Sequence, residues 1–327
     1  MIVVTGGAGF IGSNLVAALA ERGEHEIAVI DRLGSDDKWR NLAKHEIVDL
    51  VPPERFLDVF ERQAPAISAV LHMGAITDTQ ARDGDALMAQ NFRFSLELWN
   101  WCTRHGVRLI YASSAATYGD GRLGFDDEAT PEALAKLRPL NGYGWSKHLF
   151  DRRVARLAQT GRRPLQWAGL KFFNVYGPNE YHKGAMQSVI ARYWPDIAAG
   201  RPMRLFKSHR PDYADGGQKR DFVYVKDIVA VVSWLLDNLE VNGLFNLGSG
   251  RAQSFREVGE AIFAARGEAA NIEYVDMPEP LRAQYQYFTE AKMDRLRAAG
   301  FRQPFHSVEQ GIADYVRNYL MKADPYR

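Results

Sequence analysis

Residues 2–12 read Ile2-Val3-Val4-Thr5-Gly6-Gly7-Ala8-Gly9-Phe10-Ile11-Gly12, and this stretch decides the fold. Ile2 to Thr5 reads as a short buried strand and the glycines as a turn. Ile11, Leu15, Val16 and Leu19 then mark the apolar stripe of a helix. Strand, glycine turn and helix in that order are the context in which G-x-G-x-x-G binds a dinucleotide. Gly6 or Gly7 makes the tight turn, Gly9 lets the backbone approach a pyrophosphate, and Gly12 lets helix and strand pack closely. The helix N-terminus offers unpaired N–H groups and partial positive charge to the phosphates. A second strand, Ile27 to Ile30, ends at Asp31, nineteen residues after Gly12, where a ribose-binding acid is expected.

Outward from this unit, strand and helix patterns alternate. The segment from Arg32 to Pro53 is polar, with Gly34, Asp36, Asp37 and Lys38 expected in a loop beside the dinucleotide, and a helix follows from about Glu54 to Arg62 with Phe56, Val59 and Phe60 on its apolar face. Ile67 to His72 reads as a buried strand, Asp85 to Arg104 as a helix, and Val107 to Ala112 as a strand delivering Ser113 and Ser114. Phe125 to Leu140 is loop-like, and Asn141 or a neighbour caps the next helix. Leu165 to Phe173 is a further strand, closed by Tyr176-Gly177-Pro178. Such alternation predicts an α/β fold built on a doubly wound parallel Rossmann sheet.

Beyond Asn174 the alternation loosens. Phe222 to Val225 and the helix after it look like a return to the sheet, and Gly243 to Gly250 reads as a strand with a glycine exit. The chain is therefore expected to interleave two domains. A dinucleotide-binding domain takes residues 1–173 and returns at about 222–248 and 296–320. A smaller α/β substrate-binding domain takes 174–221 and 249–295.

At 327 residues the chain is long for one simple core. Lys and Arg number 41 against 40 Asp and Glu, so no bulk attraction to nucleic acid or an anionic membrane is expected. No apolar run reaches the length of a membrane span. Cys102 is the single cysteine, which excludes an intrachain disulfide and a cysteine-based zinc site. The histidines are scattered without ligand spacing, so no metal is expected, and cytoplasm is the expected compartment. Phe92, Phe94, Trp99 and Trp101 read as core or as a subunit contact.

Chemistry centres on Tyr143-Gly144-Trp145-Ser146-Lys147 together with Ser114. Tyr143 and Lys147 are four apart and share one helix face. A phenol titrates near 10, and a neighbouring ammonium favours the phenolate and lowers that value. Ser114 could hydrogen-bond a substrate hydroxyl. The three could take a proton from an alcohol while a nicotinamide takes the hydride.

TGGAGFIG, Asp31, YASSAATYG, YGWSK, KFFNVYGP, RDFVYVKD and FNLGSG together resemble the extended short-chain dehydrogenase/reductase family and its nucleotide-sugar enzymes. The resemblance spans essentially the whole chain. It is strongest to the epimerases that invert C6 of an ADP-heptose, from ADP-D-glycero-D-manno-heptose to the L-glycero epimer, for lipopolysaccharide inner-core synthesis. It implies transient oxidation to a 6-ketone by bound NADP and re-reduction from the other face. It also implies a homo-oligomer, commonly a pentamer.

In the same way, Lys183 matches a second acid/base. Gly6, Gly9, Phe10, Ile11, Gly12, Asp31, Arg32, Lys38, Met73, Gly74, Ala75, Ile76, Thr77, Asn91, Val175, Tyr143, Lys147 and Lys183 match cofactor-binding positions. Ser114, Asn174, Ala185, Arg192, Phe206, Lys207, Ser208, His209, Arg220 and Tyr285 match positions that hold the ADP-sugar. Arg220 has its own logic, since a guanidinium suits a diphosphate. Asp31 alone suggests NAD, whereas Arg32 and Lys38 suit a 2′-phosphate; the resemblance favours NADP.

Ala185 and Arg192 stand where the family has serine and histidine, and Arg210 to Gln218 resembles an insertion. The nearest alternative is a UDP-sugar 4-epimerase. A 4,6-dehydratase is disfavoured: that similar group carries an Asp-Glu pair after the active-site hydroxyl residue to eliminate water, and here Ala115 and Ala116 follow Ser114. A non-catalytic NADP-binding sensor is disfavoured by the presence of both Tyr143 and Lys147.

Overall fold

A computed structural model describes residues 1–282 and 286–327. In chain order its strands are β1 (Ile2–Thr5), β2 (Ile27–Ile30), β3 (Asp49–Val51), β4 (Ala69–His72), β5 (Arg108–Ser114) and β6 (Trp167–Phe172). They continue as β7 (Asn174–Tyr176), β8 (Met203–Phe206), β9 (Lys219–Tyr224), β10 (Gly243–Leu247), β11 (Ala252–Ser254) and β12 (Ile272–Val275). The principal helices are α1 (Phe10–Glu21), α2 (Phe94–His105), α3 (Gly142–Gln159), α4 (Val189–Ala198), α5 (Val225–Asp237), α6 (Phe255–Arg266) and α7 (Val308–Tyr315).

Among the described residues, seven strands form one sheet in the order β10-β6-β5-β4-β1-β2-β3. Every pairing in it is parallel. Parallel sheets need cover on both faces, and β1, β2 and β4 are buried at every position. Successive residues divide between the faces. Val4, Leu71, Ile110 and Leu170 join α1 and α5 on one side; Val3, Val70 and Leu109 join Trp99 and Phe150 on the other. Trp99 and Trp101 are thus core, with Trp99 edge-on to Trp167 and Trp101 edge-on to Phe56. The chain order reverses between β1 and β4, and the carboxyl ends of those strands are where such a sheet takes a ligand.

A smaller part lies beyond β6. There β9 pairs with β7 in parallel and with β11 antiparallel, while β8 pairs with β12. The helices α4, α6 and α7 cover them around Ile190, Leu205, Ile262 and Ile312.

The structure corrects three expectations. Residues 222–224 do not return to the main sheet. They complete β9 of the three-stranded sheet, because Tyr224 stacks on Tyr176 of β7 with ring centroids 5.3 Å apart. Residues 308–316 likewise pack with the smaller part, where Val308, Ile312 and Tyr315 meet the apolar face of α6; from that C-terminal return Leu296 and Phe301, with Ala299 and Phe305 against them, join the main core. The polar stretch from Arg32 to Pro53 contains β3, which pairs with β2, and a 3-10 turn over Asp37–Asn41. No helix among the described residues is long and apolar enough to cross a membrane.

Candidate active site

A groove of about 480 Å³ opens at the carboxyl ends of β1 and β4. Gly6 turns the chain with φ +65°, and a Cβ there would lie 2.6 Å from the Gly74 backbone. On Gly12 a Cβ would lie 2.1 Å from the Gly6 carbonyl oxygen, so α1 can start this close to β1 only with glycine. α1 starts at Gly9 with no side-chain cap and no acidic residue in its first turn. Its first N–H groups are therefore available to an anion. Gly9, Phe10 and Ile11 line the groove on this side, and Met73, Gly74, Ala75, Ile76 and Thr77 on the other. A bare-backbone cradle at an uncapped helix start fits a dinucleotide pyrophosphate.

Buried Asp31 spans the turn. Its carboxylate accepts the Ala8 N–H at 2.9 Å and the Arg32 N–H at 2.7 Å, and pairs with the Lys38 ammonium at 2.5 Å. Lys38 lines the groove. The Arg32 guanidinium instead lies 2.7 Å from Glu54, both side chains exposed, so the two cations expected around the ribose are differently placed. Asn91 is fully buried. Its carboxamide accepts the Ile76 N–H at 2.8 Å, donates to the Ile76 carbonyl at 2.9 Å and reaches the Ser146 hydroxyl at 3.0 Å. It braces the groove wall against α3, where the sequence reading has it lining the groove.

Asn141 caps α3, accepting the Gly144 N–H at 2.8 Å, a contact worth about 1 kcal/mol. That fixes where Tyr143 and Lys147 emerge. The Tyr143 phenol faces Ser114, the last residue of β5, which favours its phenolate. The Lys147 ammonium is buried and donates to the Ala112 carbonyl at 2.9 Å. Burial draws that ammonium down to about 8, while the charge of Asp151 opposes the drop. The expected lowering of Tyr143 is not found. Burial raises the phenol above its usual value, Ser114 pulls it back, and Asp151 pushes it further up.

Lys183 lines the groove from the 3-10 turn over Tyr181–Met186, its ammonium 5.3 Å from the centre of the Phe10 ring. Burial lowers its pKa, and Glu180 opposes this. Glu180 is itself buried, accepting the Ser188 hydroxyl at 2.7 Å and the Gly177 N–H at 3.2 Å.

The expected sugar-nucleotide residues are dispersed. Ala185 is exposed on the groove rim, and Val175 is half-buried beside exposed Asn174 on β7. His209 lines a second, larger cleft of about 1540 Å³ with Arg210, Tyr213 and Tyr287. Phe206 ends β8, Lys207 pairs with Asp276 at 3.4 Å, and the Ser208 N–H reaches Asp215 at 2.8 Å. Arg220 lies with its guanidinium 5.8 Å from the Phe255 ring centre. Arg192 is exposed on α4. Tyr285 lies outside the described residues. No cluster of His, Cys, Asp and Glu among the described residues could hold a metal ion.

Sequence reasoning misses Asp78, Gln80, His182 and Met186 in the groove, and Asp151 and Lys171 behind Ser114. Lys171 opens KFFNVYGP and His182 precedes Lys183, but neither stretch shows in sequence which groups these side chains meet. Asp151 and Lys171 are twenty residues apart and meet only because α3 folds over β6.

The family model described as the NAD dependent epimerase/dehydratase family matches residues 2–248. The ADP-L-glycero-D-manno-heptose-6-epimerase of Nitratidesulfovibrio vulgaris is 51% identical, with 100% of both chains covered. That of Fusobacterium nucleatum is 45% identical, again with 100% of both covered. Among solved structures, the Helicobacter pylori ADP-L-glycero-D-manno-heptose-6-epimerase superposes with TM-score 0.79 at 26% identity, covering 97% of this chain and 95% of that one. The Thermus thermophilus UDP-glucose 4-epimerase complex with NAD gives 0.73 at 29%, covering 95% and 96%. With its glycine cradle, its Ser114–Tyr143 contact and these full-length relatives, the chain belongs to the NAD dependent epimerase/dehydratase family.

Proposed function

We propose that the protein epimerises ADP-D-glycero-D-manno-heptose to its L-glycero epimer at C6, a step of lipopolysaccharide inner-core synthesis. The observation that carries the chemistry is the Tyr143 phenol against Ser114 with a buried ammonium behind it. The substrate rests on relatives that match the chain end to end. A nicotinamide held in the groove by Gly9, Phe10, Ile11 and Met73 to Thr77 would supply hydride acceptance and return. Ser114 orients the C6 hydroxyl and Tyr143 takes its proton, leaving a 6-ketone. The ketone then presents its other face to the same site, and Lys183 serves as the acid/base there. The low-lying ammonium of Lys183, on the groove beside Phe10, supports that role.

The cofactor in this reading is NADP. Lys38 cancels the Asp31 carboxylate at the ribose end, which supports a 2′-phosphate over a bare 2′-hydroxyl. Gly6, Gly9 and Gly12 hold the pyrophosphate, and the larger cleft beside His209 takes the ADP-sugar. The same reading assigns the smaller part of the chain to the substrate and includes a cytoplasmic homo-oligomer, a pentamer, which sedimentation would test.

The test is a proton NMR time course with ADP-D-glycero-D-manno-heptose and no added cofactor. Interconversion of the two C6 epimers is expected, with NADP released on denaturation. No change in the spectrum, even with NADP supplied, would remove the heptose assignment, and UDP-sugars would come next.

A further inference from the structure

Behind the reacting residues lies a charged pair with no part in the steps above. Asp151 sits on α3 four residues past Lys147 and eight past Tyr143, on one helix face. It is 0% exposed, as is Lys171 on β6. One carboxylate oxygen accepts the Ser113 hydroxyl at 2.6 Å and the Lys171 ammonium at 2.8 Å; the other accepts the Tyr111 hydroxyl at 3.1 Å. Lys171 also donates to Thr117 at 2.7 Å and faces the Tyr118 ring at 5.0 Å. The pair thus ties α3 to β6 and to the two β5 residues Tyr111 and Ser113, the second of which adjoins Ser114.

We propose that the buried Asp151–Lys171 pair is a positioning unit for the reaction, its fixed carboxylate acting on Lys147 one turn back along the same face of α3. Burying two charges is expensive, and an apolar pair of similar volume would fill the space at least as well. What an apolar pair cannot supply is a fixed negative charge in a medium that screens it poorly. Lys171, Ser113 and Tyr111 hold that carboxylate in place.

The groups it faces are few. On α3 they are Lys147, Tyr143 and His148; from β5 and the turn after it, Tyr111 and Tyr118; from β6, Lys171. His148 also feels Arg152 and Arg138, and Tyr118 feels Asp126 and Asp127. Toward Lys147 the carboxylate opposes burial, which has already brought the ammonium to about 8. Toward Tyr143 it adds to burial and raises the phenol further. The charge kept on Lys147 favours the phenolate that takes the C6 proton, whereas the direct effect on Tyr143 works against it, so Lys147 is the group through which the pair serves the step. Without Asp151 both protons leave at lower pH, and the ammonium is lost near neutrality.

The inference rests on the functional reading above for its reaction, though not for its electrostatics. The test uses the full-length Asp151→Asn protein, with Asp151→Glu as rescue and Asp151→Asn/Lys171→Met where the single variant fails to fold. Two quantities are read: the NMR titration of the Lys147 13Cε signal, assigned by its loss in Lys147→Arg, and the pH–rate profile of epimerisation. The Lys147 midpoint is expected to fall by about one pH unit in Asp151→Asn, less in the double variant, and to return in Asp151→Glu. The rate profile is expected to move with it. An unmoved midpoint in a folded variant overturns the proposal and leaves the pair a structural staple. A midpoint that falls in a protein showing no epimerisation supports the coupling and sinks the heptose reading instead.

Discussion

The Lys147 ammonium donates to the Ala112 carbonyl at 2.9 Å, two residues before Ser114 on β5. Helix and strand are therefore joined at the point where each delivers a reacting group. Replacing Lys147 with Met removes both the bond and the charge, and Tyr143→Phe removes the proton carrier. Each is expected to lower kcat by about 10²- to 10⁴-fold, and the double variant by far less than the product. Rates from the NMR epimer assay check this, with retained NADP in Tyr143→Phe as the control for folding. Undiminished turnover in Tyr143→Phe would end the acid/base assignment.

Local patterns were readable and non-local ones were not. The glycine turn and Asp31 could be seen because a βα turn and the next strand end are set by contiguous residues. Tyr143 and Lys147 could be paired because helix spacing alone places them together. The sheet that receives residues 222–224 was misread, because strand partners are chosen by tertiary contacts such as Tyr224 on Tyr176. The direction of the Tyr143 shift was misread for a related reason. A neighbouring lysine is visible in a sequence, whereas the burial that outweighs it is a property of the packed fold. Asn91 carries no sign in the sequence that its carboxamide faces Ile76 and not the groove.

The Asp31–Lys38 contact bears on cofactor choice. Lys38→Ala leaves the carboxylate uncompensated where a 2′-phosphate would lie. NADP affinity is expected to fall about tenfold or more, roughly 1.4 kcal/mol, with NAD affinity unchanged or improved. Calorimetric titration of protein stripped of nucleotide measures both. Equal losses for the two cofactors would show that Lys38 supports the loop and does not read the phosphate.

Gly12→Ala tests the cradle. Its Cβ would meet the Gly6 carbonyl at 2.1 Å, a backbone atom that cannot swing aside. The turn has to shift, at a cost of about 1–3 kcal/mol. The expected result is a lower Tm and a protein purified without nucleotide. A variant that keeps its nucleotide would show that the turn tolerates a displacement this structure does not display.

His72 makes acid the weak side of the fold. The ring is buried at the end of β4, with Nδ1 2.6 Å from the Thr5 hydroxyl and Nε2 2.8 Å from the Ser95 hydroxyl. Burial first, and the Lys147 charge second, bring it from 6.5 down to about 3. Between those values the unfolded chain holds a proton that the folded chain refuses. The stability is therefore present above pH 6.5 and drains away as pH falls toward 3, by up to about 1.4 kcal/mol per unit. His148, brought to about 4, adds to the slope. Asp221 opposes it: its carboxyl is raised from 3.8 to about 6, so below that pH the folded state gains the proton first. Burial also raises Glu180, Asp127 and Asp227, which oppose the loss in the same way, and lowers His45 and His182, which add to it; the histidines, ordinarily titrating at 6.5, lose their contribution first on acidification from pH 7. Urea midpoints are expected to fall from pH 7 to pH 4.5, and a folded His72→Gln variant, which cannot titrate there, should show a slope shallower by about one proton. An unchanged slope in that variant would mean that His72 is protonated inside the fold, and that Thr5 and Ser95 both accept from it.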